Sequence, residues 1–274
     1  MQIASRVKGY WGQKIGSLQE KNKVIWGNRL ARWQRWGKLF ASAGQGAFIE
    51  KGEVMTRLQT QYEREVEIPF GEFHLEGEFV LPPHACGVVL FAHGSGSSRH
   101  SPRNQFVART LREHGMGTLL FDLLTQSEER QDRYTGHLRF NIGLLASRLL
   151  GATEWYRREE PDLPVGYFGS STGAAAALMA EVESKISIRA IVSRGGRPDL
   201  AGEALPLVRA ATLLLVGGDD LVVLELNEFA CARLRCPREL RVIPGATHLF
   251  EEPGALEKVA ELAAGWFEHH FKEH

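Results

Sequence analysis

Apolar runs alternate with amphipathic stretches along most of this chain. Residues 65–70 and 72–81 alternate apolar with polar side chains on either side of Gly71, which predicts a half-exposed antiparallel strand pair. Later runs are mostly apolar and short, which is typical of strands covered on both faces. These predicted strands are residues 87–91, 118–121, 164–168, 188–193, 212–216 and 240–243.

Helical patterns fall between the predicted strands. They cover residues 101–114, 173–180 and 224–234, a stripe formed by Leu138, Ile142, Leu145, Leu149 and Ala152, and a last stripe formed by Leu256, Val259, Leu262 and Trp266. Strands that alternate with helices predict an α/β fold, with a mainly parallel sheet and helices on both faces.

The first candidate for chemistry is a serine on a strand-to-helix turn. Gly169 and Gly173 flank Ser171 in the pattern G-x-S-x-G, between a predicted strand and a predicted helix. Glycine at both places relieves a turn that a side chain would obstruct. The pattern therefore predicts that Ser171 is a nucleophile held above the sheet. A glycine-rich helix start with no chemistry is the alternative, and neighbouring Ser170 is expected to be a bystander.

A serine nucleophile needs a base, and the base needs an orienting acid. Asp220 follows the predicted strand 212–216, and His248 follows the strand 240–243, so both come just after strand ends. We therefore predict His248 as general base and Asp220 as the acid. Asp199, which follows another strand, is an alternative acid, and Asp219 is a weaker one.

The predicted strand 87–91 runs into a glycine-serine loop that starts at His93. Acyl transfer develops negative charge on the substrate oxygen, and preset backbone N–H groups stabilise it. We predict that the amides of Ser95 and Thr172 form this oxyanion hole. His93 is expected to brace backbone carbonyls rather than to abstract a proton, and Asp122 is expected to hold the loop that follows it.

These segments together resemble the α/β-hydrolase family, and most closely its dienelactone-hydrolase branch, over residues 63–271. The resemblance implies an α/β-hydrolase fold. True dienelactone hydrolases use a cysteine nucleophile where this chain has Ser171, which favours general serine esterase chemistry. One subgroup of the branch is joined to phosphoribosyltransferases, but this chain shows no phosphoribosyltransferase motif.

The predicted function is therefore a serine hydrolase that cleaves esters or thioesters of small to medium acyl groups through an acyl-enzyme. A small peptidase with the same triad and a non-catalytic binding module are the alternatives. Arg99, Arg103, Arg194 and Arg197 follow the oxyanion loop or the sixth strand, so they are candidate ligands for a substrate carboxylate or phosphate. The alternative for these four is a solvated loop charge. The short segment 124–136 leaves no room for a large helical cap.

Composition adds few constraints. The formal net charge is zero, so no global field favours nucleic acid. The three cysteines form no disulfide framework and predict free thiols in a reducing, cytoplasmic setting. The pattern implies no cofactor and no metal site, and no run of apolar residues approaches the length of a membrane span.

Residues 1–60 differ from the rest and are predicted to be a separate basic helical extension before a hydrolase domain at 61–274. They carry a net charge of +8 and four of the six tryptophans. Trp26, Leu30, Trp33 and Phe40 fit one helical stripe. Such a helix can pack on the acidic hydrolase domain, lie on an anionic membrane or bind an acidic partner. A cleaved presequence is a further alternative.

Overall fold

The computed structural model describes residues 62–160 and 162–272. Within them, eight strands form one sheet, in the spatial order β1-β2-β4-β3-β5-β6-β7-β8. The strands are β1 (Tyr62–Phe70), β2 (Phe73–Leu81), β3 (Val88–Ala92), β4 (Gly117–Phe121), β5 (Val165–Ser170), β6 (Ile188–Arg194), β7 (Ala211–Gly217) and β8 (Arg238–Ile243). The predicted extension at 1–60, its helix and its boundary lie outside the described residues and stay predictions.

Six α-helices and one 3-10 segment complete this part of the chain. The helices are α1 (Pro102–Glu113), α2 (Gln126–Thr135), α3 (Ile142–Glu159), α4 (Thr172–Glu183), α5 (Leu221–Arg233) and α6 (Ala255–Lys272), and the 3-10 segment is Pro198–Leu207. α3, α4 and α5 contribute to a core on one face of the sheet. α1 and α6 form the core on the other face. The predicted α/β fold with helices on both faces is therefore confirmed.

The sheet is mainly parallel, as predicted. The predicted entry pair, β1 and β2, is antiparallel, and β2 also pairs with β4 in antiparallel orientation. All further pairings, from β4 through β3 and β5 to β8, are parallel. β3, β4, β5 and β7 are buried along their whole length, because helices cover both of their faces.

One short helix was not predicted, and one residue of a predicted helical stripe lies outside its helix. The segment 124–136 forms a helix, α2, although its charged sequence shows little apolar periodicity. A capping box starts it, because the Thr125 side chain accepts from the Glu128 amide and the Glu128 carboxylate accepts from the Thr125 amide. Leu138 lies before α3 rather than in its apolar stripe, because Asn141 caps the helix.

Parallel topology decides where the candidate groups meet. The carboxyl ends of β3, β5, β6, β7 and β8 all lie at one edge of the sheet. Ser171 follows β5, Asp220 follows β7 and His248 follows β8. Residues that are distant in sequence are thereby delivered to the same edge.

Candidate active site

Ser171 occupies a strained turn between β5 and α4. Its φ is 50° and its ψ is −122°, a backbone conformation that residues other than glycine rarely adopt. A serine at the first position of a helix ordinarily caps it, but here the side chain makes no capping hydrogen bond. Ser171 therefore does not cap the helix, which is the role expected of a serine that only precedes one.

The two flanking glycines have no room for a side chain. A Cβ at Gly169 would lie 2.5 Å from the Cα of Ala174 in the turn itself. A Cβ at Gly173 would lie 2.0 Å from the carbonyl oxygen of Ala92, at the end of the neighbouring strand β3. Because both obstacles are backbone, neither can move aside, and this confirms why the turn needs glycine at both places.

His248 and Asp220 form a hydrogen-bonded pair. Nδ1 of His248 lies 2.7 Å from Oδ2 of Asp220. The Asp220 side chain is mostly buried, whereas that of His248 is 41% exposed. Since Nδ1 is engaged with the carboxylate, Nε2 is the ring nitrogen left for proton transfer. Asp220, and not the exposed Asp219, is therefore the acid that contacts the ring.

The loop after β6 contacts both Ser171 and His248. The Arg197 amide donates to the carbonyl oxygen of Ser171 at 3.0 Å. Gly195 has a φ of 49°, and a Cβ there would lie 3.6 Å from Nδ1 of His248. Within the described residues, the Ser171 hydroxyl itself has no hydrogen-bond partner. The loop thus contacts the elbow through Arg197 and the histidine through Gly195, and no hydrogen bond joins the Ser171 hydroxyl to His248 in the described residues.

The predicted oxyanion-hole residues belong to the loop after β3 and to the first turn of α4. A Cβ at Gly94 would lie only 2.9 Å from the Cβ of Ser171, so the loop after β3 presses against the serine. Ser97 closes that loop by donating to the Gly94 carbonyl at 3.1 Å. Ser95 lies inside this turn and is exposed. Thr172 is in the first turn of α4, where amides lack a carbonyl partner within the helix.

His93 braces this loop. Its Nε2 accepts the Leu123 amide at 2.9 Å, and its Nδ1 lies 3.0 Å from the Gly94 carbonyl. Because Nε2 must accept, the buried ring is neutral and its Nδ1–H donates. Burial lowers the pKa of His93, which agrees with a neutral ring. His93 therefore acts as a brace, as expected, although it holds an amide as well as a carbonyl.

Arg99 and Asp122 form a second brace. Both the amide and the guanidinium of Arg99 donate to the Asp122 carboxylate, and the guanidinium also pairs with Glu76 at 2.7 Å. Asp122 therefore holds the loop after β3, and not the loop that follows Asp122 itself as predicted. Arg99 is mostly buried rather than solvated, and its nitrogens are engaged with protein carboxylates.

Two of the other candidate arginines also have protein partners. Arg197 donates two 2.8 Å hydrogen bonds to Asp199, the alternative acid, so the Asp199 carboxylate is engaged there. Arg103 pairs with exposed Glu251 at 3.1 Å. The acid that contacts the His248 ring is therefore Asp220, and not Asp199.

Arg194 differs from the other three. It ends β6 opposite Ser170, and its backbone carbonyl accepts the Ser171 amide at 3.4 Å. The residue is only 7% exposed, and its Nε and Nη1 are buried without a hydrogen-bond partner in the described part of the chain. Burial, together with the charge of Arg103, lowers the pKa of Arg194 to about 10, so the group stays charged at neutral pH.

The enclosed space at the site is small. A cavity beside the loop after β3, lined by residues that include Ser95, Gly96 and Arg139, has a volume of about 20 Å³. That volume holds about one water molecule, so this cavity cannot enclose an acyl group. Exposed apolar side chains directly follow Asp220 and His248, namely Leu221, Val222 and Leu249. They give this edge of the sheet an apolar rim.

The chain is 56% identical to a solved dienelactone hydrolase from Anabaena variabilis, with a TM-score of 0.75, over 77% of this chain and 99% of that one. The chain belongs to the α/β-hydrolase superfamily. Within that superfamily it falls in the dienelactone-hydrolase-like branch, as the sequence motifs predicted. The esterase Pf2001 from Pyrococcus furiosus has the same fold, with a TM-score of 0.62 at 18% identity, over 77% of this chain and 93% of that one. No protein-family model matches the chain.

Curated relatives carry a different name. Two Mycobacterium tuberculosis proteins, provisionally named phosphoribosyl transferases, are 54% identical to the chain over 211 residues. The match covers 76% of this chain but 46% of each relative, so the chain spans about half the length of the curated relatives it matches. The superfamily assignment rests on the hydrolase, which the chain covers almost completely.

Sequence reasoning missed one side chain at this edge. Asn227, in α5, is fully buried and donates to the Gly196 carbonyl at 2.9 Å, in the loop that contacts Ser171 and His248. Its signal in the sequence is a single amide on the buried side of a largely apolar helix. Elsewhere, Cys86, Cys231 and Cys236 are free thiols, as predicted. None of the helices in 62–160 and 162–272 is long and apolar enough to cross a membrane.

Proposed function

We propose that this α/β-hydrolase cleaves carboxylic esters or thioesters through an acyl-enzyme on Ser171. The Asp220–His248 contact of 2.7 Å, at the same edge of the sheet as a strained serine that caps nothing, is the observation that carries the proposal. A histidine with Nδ1 fixed by a buried carboxylate is a general base at Nε2. The Ser171 hydroxyl, which neither caps the helix nor hydrogen-bonds another described residue, is available to lose its proton.

The reaction has two halves. Ser171 Oγ attacks the carbonyl carbon while Nε2 of His248 takes the hydroxyl proton, and the imidazolium is stabilised by Asp220. The same proton then passes to the leaving alcohol or thiol, and the acyl group stays on Ser171. A water molecule next attacks the acyl carbon, giving one proton to His248, and that proton returns to Ser171 Oγ as the carboxylic acid leaves.

The amides of Ser95 and Thr172 are the proposed oxyanion donors. Gly94 holds the Ser95 turn against the elbow, and the first turn of α4 presents the Thr172 amide with the positive end of the helix behind it. Backbone donors fixed in this way need little reorganisation when charge develops on the substrate oxygen. The braces at His93 and Arg99 keep the Ser95 turn in place.

The exposed apolar side chains at this edge support a substrate with a small or medium acyl group. The rim of Leu221, Val222 and Leu249 can contact the apolar part of a substrate. Among the candidate arginines, Arg194 is the strongest for an anionic substrate group, because its Nε and Nη1 have no hydrogen-bond partner in the described residues. Arg99 and Arg197 are engaged with carboxylates of the protein, and Arg103 is shared with Glu251.

Phosphoribosyl transfer is not part of this proposal. The name belongs to relatives of which the matched part is less than half. The shared part contains this α/β-hydrolase domain, and hydrolysis is the chemistry that its serine, histidine and acid support. A binding module without turnover would have no need for a strained serine at the same edge of the sheet as a histidine fixed by a carboxylate.

Labelling with a fluorophosphonate tests the nucleophile directly, because the probe forms a covalent bond to an activated serine. The wild-type chain should react, and Ser171→Ala should not. Ser170→Ala is the matched control, since it removes the adjacent buried hydroxyl and leaves the nucleophile in place. Equal labelling of wild type and Ser171→Ala would reject Ser171, and an unreactive wild type would favour the binding module.

A further inference from the structure

We infer that Asn227 is a positioning residue that couples Ser171, His248 and Asp220. The inference rests on the proposed function, since it concerns how the triad is held. Asn227 touches none of the reacting atoms. It acts through the loop 195–197, which joins β6 to the 3-10 segment.

The loop needs an external anchor. Gly195 adopts a φ of 49°, and Gly196 is packed so tightly that a Cβ there would lie 2.0 Å from the Ser193 hydroxyl oxygen. Two consecutive glycines give the backbone wide conformational freedom, which has to be restricted if the loop is to hold one geometry. The Gly196 carbonyl is restricted by the Asn227 amide at 2.9 Å.

The loop passes this restraint to the nucleophile and the base. On one side of Gly196, the Arg197 amide donates to the Ser171 carbonyl at 3.0 Å. On the other side, Gly195 packs against His248. A Cβ added at Gly195 would lie 3.1 Å from the His248 carbonyl oxygen. A shift of Gly196 therefore moves the contacts of both catalytic residues together.

The same side chain also belongs to the helix of the acid. Asp220 is the N-cap of α5, and Asn227 follows it by seven residues, about two turns, so both lie on the same side of the helix. Asn227 makes a second hydrogen bond within α5, to the Val223 carbonyl at 2.8 Å. Both partners are carbonyl oxygens, so the amide nitrogen must face them. A carboxylate or an alkyl group at 227 cannot replace it.

The test compares Asn227→Leu with Thr153→Val. Thr153 is also fully buried, and its hydroxyl also makes two hydrogen bonds, to the Leu149 carbonyl and the Tyr167 hydroxyl, but it contacts none of the catalytic loops. Both substitutions should lower Tm. At a temperature well below either transition, Asn227→Leu should lower kcat and the fluorophosphonate labelling rate roughly 10- to 100-fold, with KM changed less than about threefold. Thr153→Val should leave both rates within about twofold.

Each outcome of this comparison either supports or overturns the inference. A folded Asn227→Leu protein with wild-type kcat and labelling rate would overturn the inference and leave the proposed function intact. An unreactive wild type would overturn both. If Asn227→Leu does not fold, Asn227→Asp replaces it, because it keeps the side-chain size while removing both donors. Its kcat should fall by at least the same factor, and wild-type turnover in Asn227→Asp would again reject the role.

Discussion

The imidazole of His248 and the carboxylate of Asp220 are joined across 28 residues of sequence by a 2.7 Å contact between Nδ1 and Oδ2. The contact is possible because β7 and β8 are parallel neighbours that end at the same edge of the sheet. The turn after β7 is further tied to the histidine loop, since the Asp219 amide donates to the Ala246 carbonyl at 3.0 Å. The loops that carry Asp220 and His248 are therefore joined by backbone as well as by the two side chains.

Replacing the acid should impair turnover far more than binding. Asp220→Asn presents either an NH₂ or a neutral oxygen to Nδ1, so the imidazolium loses its charge partner and the ring loses its preferred tautomer. We expect kcat to fall by about 10⁴-fold, as for the corresponding change in serine proteases. Asp199→Asn should cost less than about tenfold. Ester-hydrolysis kinetics distinguish the two acids, and the reverse ranking would assign the role to Asp199.

The elbow glycine should be intolerant of the smallest side chain. In Gly173→Ala the new methyl group meets the Ala92 carbonyl oxygen, so the turn has to shift. We expect a loss of about 1–3 kcal/mol in the free energy of unfolding, together with loss of fluorophosphonate labelling. Gly265→Ala is the matched control. Position 265 is exposed within α6 with no atom near the added Cβ, so alanine there should stabilise by roughly 0.5–1 kcal/mol. Thermal melts of both variants measure the contrast.

His93 should make the fold sensitive to acid. Burial lowers its pKa in the folded chain, whereas in the unfolded chain it titrates near 6.5. Below that pH the unfolded chain takes up a proton that the folded chain does not, so stability is full above about pH 6.5 and falls as the pH falls. His93→Gln keeps an acceptor and a donor but does not titrate. Its Tm should therefore drop less than that of wild type between about pH 7 and pH 5. Parallel Tm curves would argue against His93 as the group responsible.

Arg194 should set a preference for anionic substrates at no cost in stability. An apolar residue in place of a buried, unpaired charge is often neutral or stabilising, so Arg194→Met should keep or raise Tm. A hydrogen bond to a charged group contributes about 1.5–3 kcal/mol. We therefore expect kcat/KM for p-nitrophenyl hemisuccinate to fall roughly 10- to 100-fold relative to p-nitrophenyl butyrate. An unchanged ratio of the two kcat/KM values would mean that the Arg194 guanidinium does not contact the substrate.

The local sequence was sufficient for most elements and for the residue types of the site. Continuous apolar runs predicted the buried strands, and the glycines around Ser171 predicted the turn, because these are consequences of covalent geometry and burial that act over a few residues. The order of Asp220 and His248 after successive strands predicted that they would meet. The helix α2 was missed because a capping box and ion pairs, rather than an apolar stripe, stabilise it.

Which partner each polar group takes was decided only by the tertiary structure. Four arginines looked alike in the sequence, yet Arg99 and Arg197 are engaged with carboxylates, Arg103 is shared, and Arg194 is buried without a partner in the described residues. Asn227 gave no sign of its link to Gly196, because that bond joins residues 31 positions apart. A short-range pattern fixes backbone conformation, whereas a hydrogen bond between distant loops depends on the packing of the whole sheet.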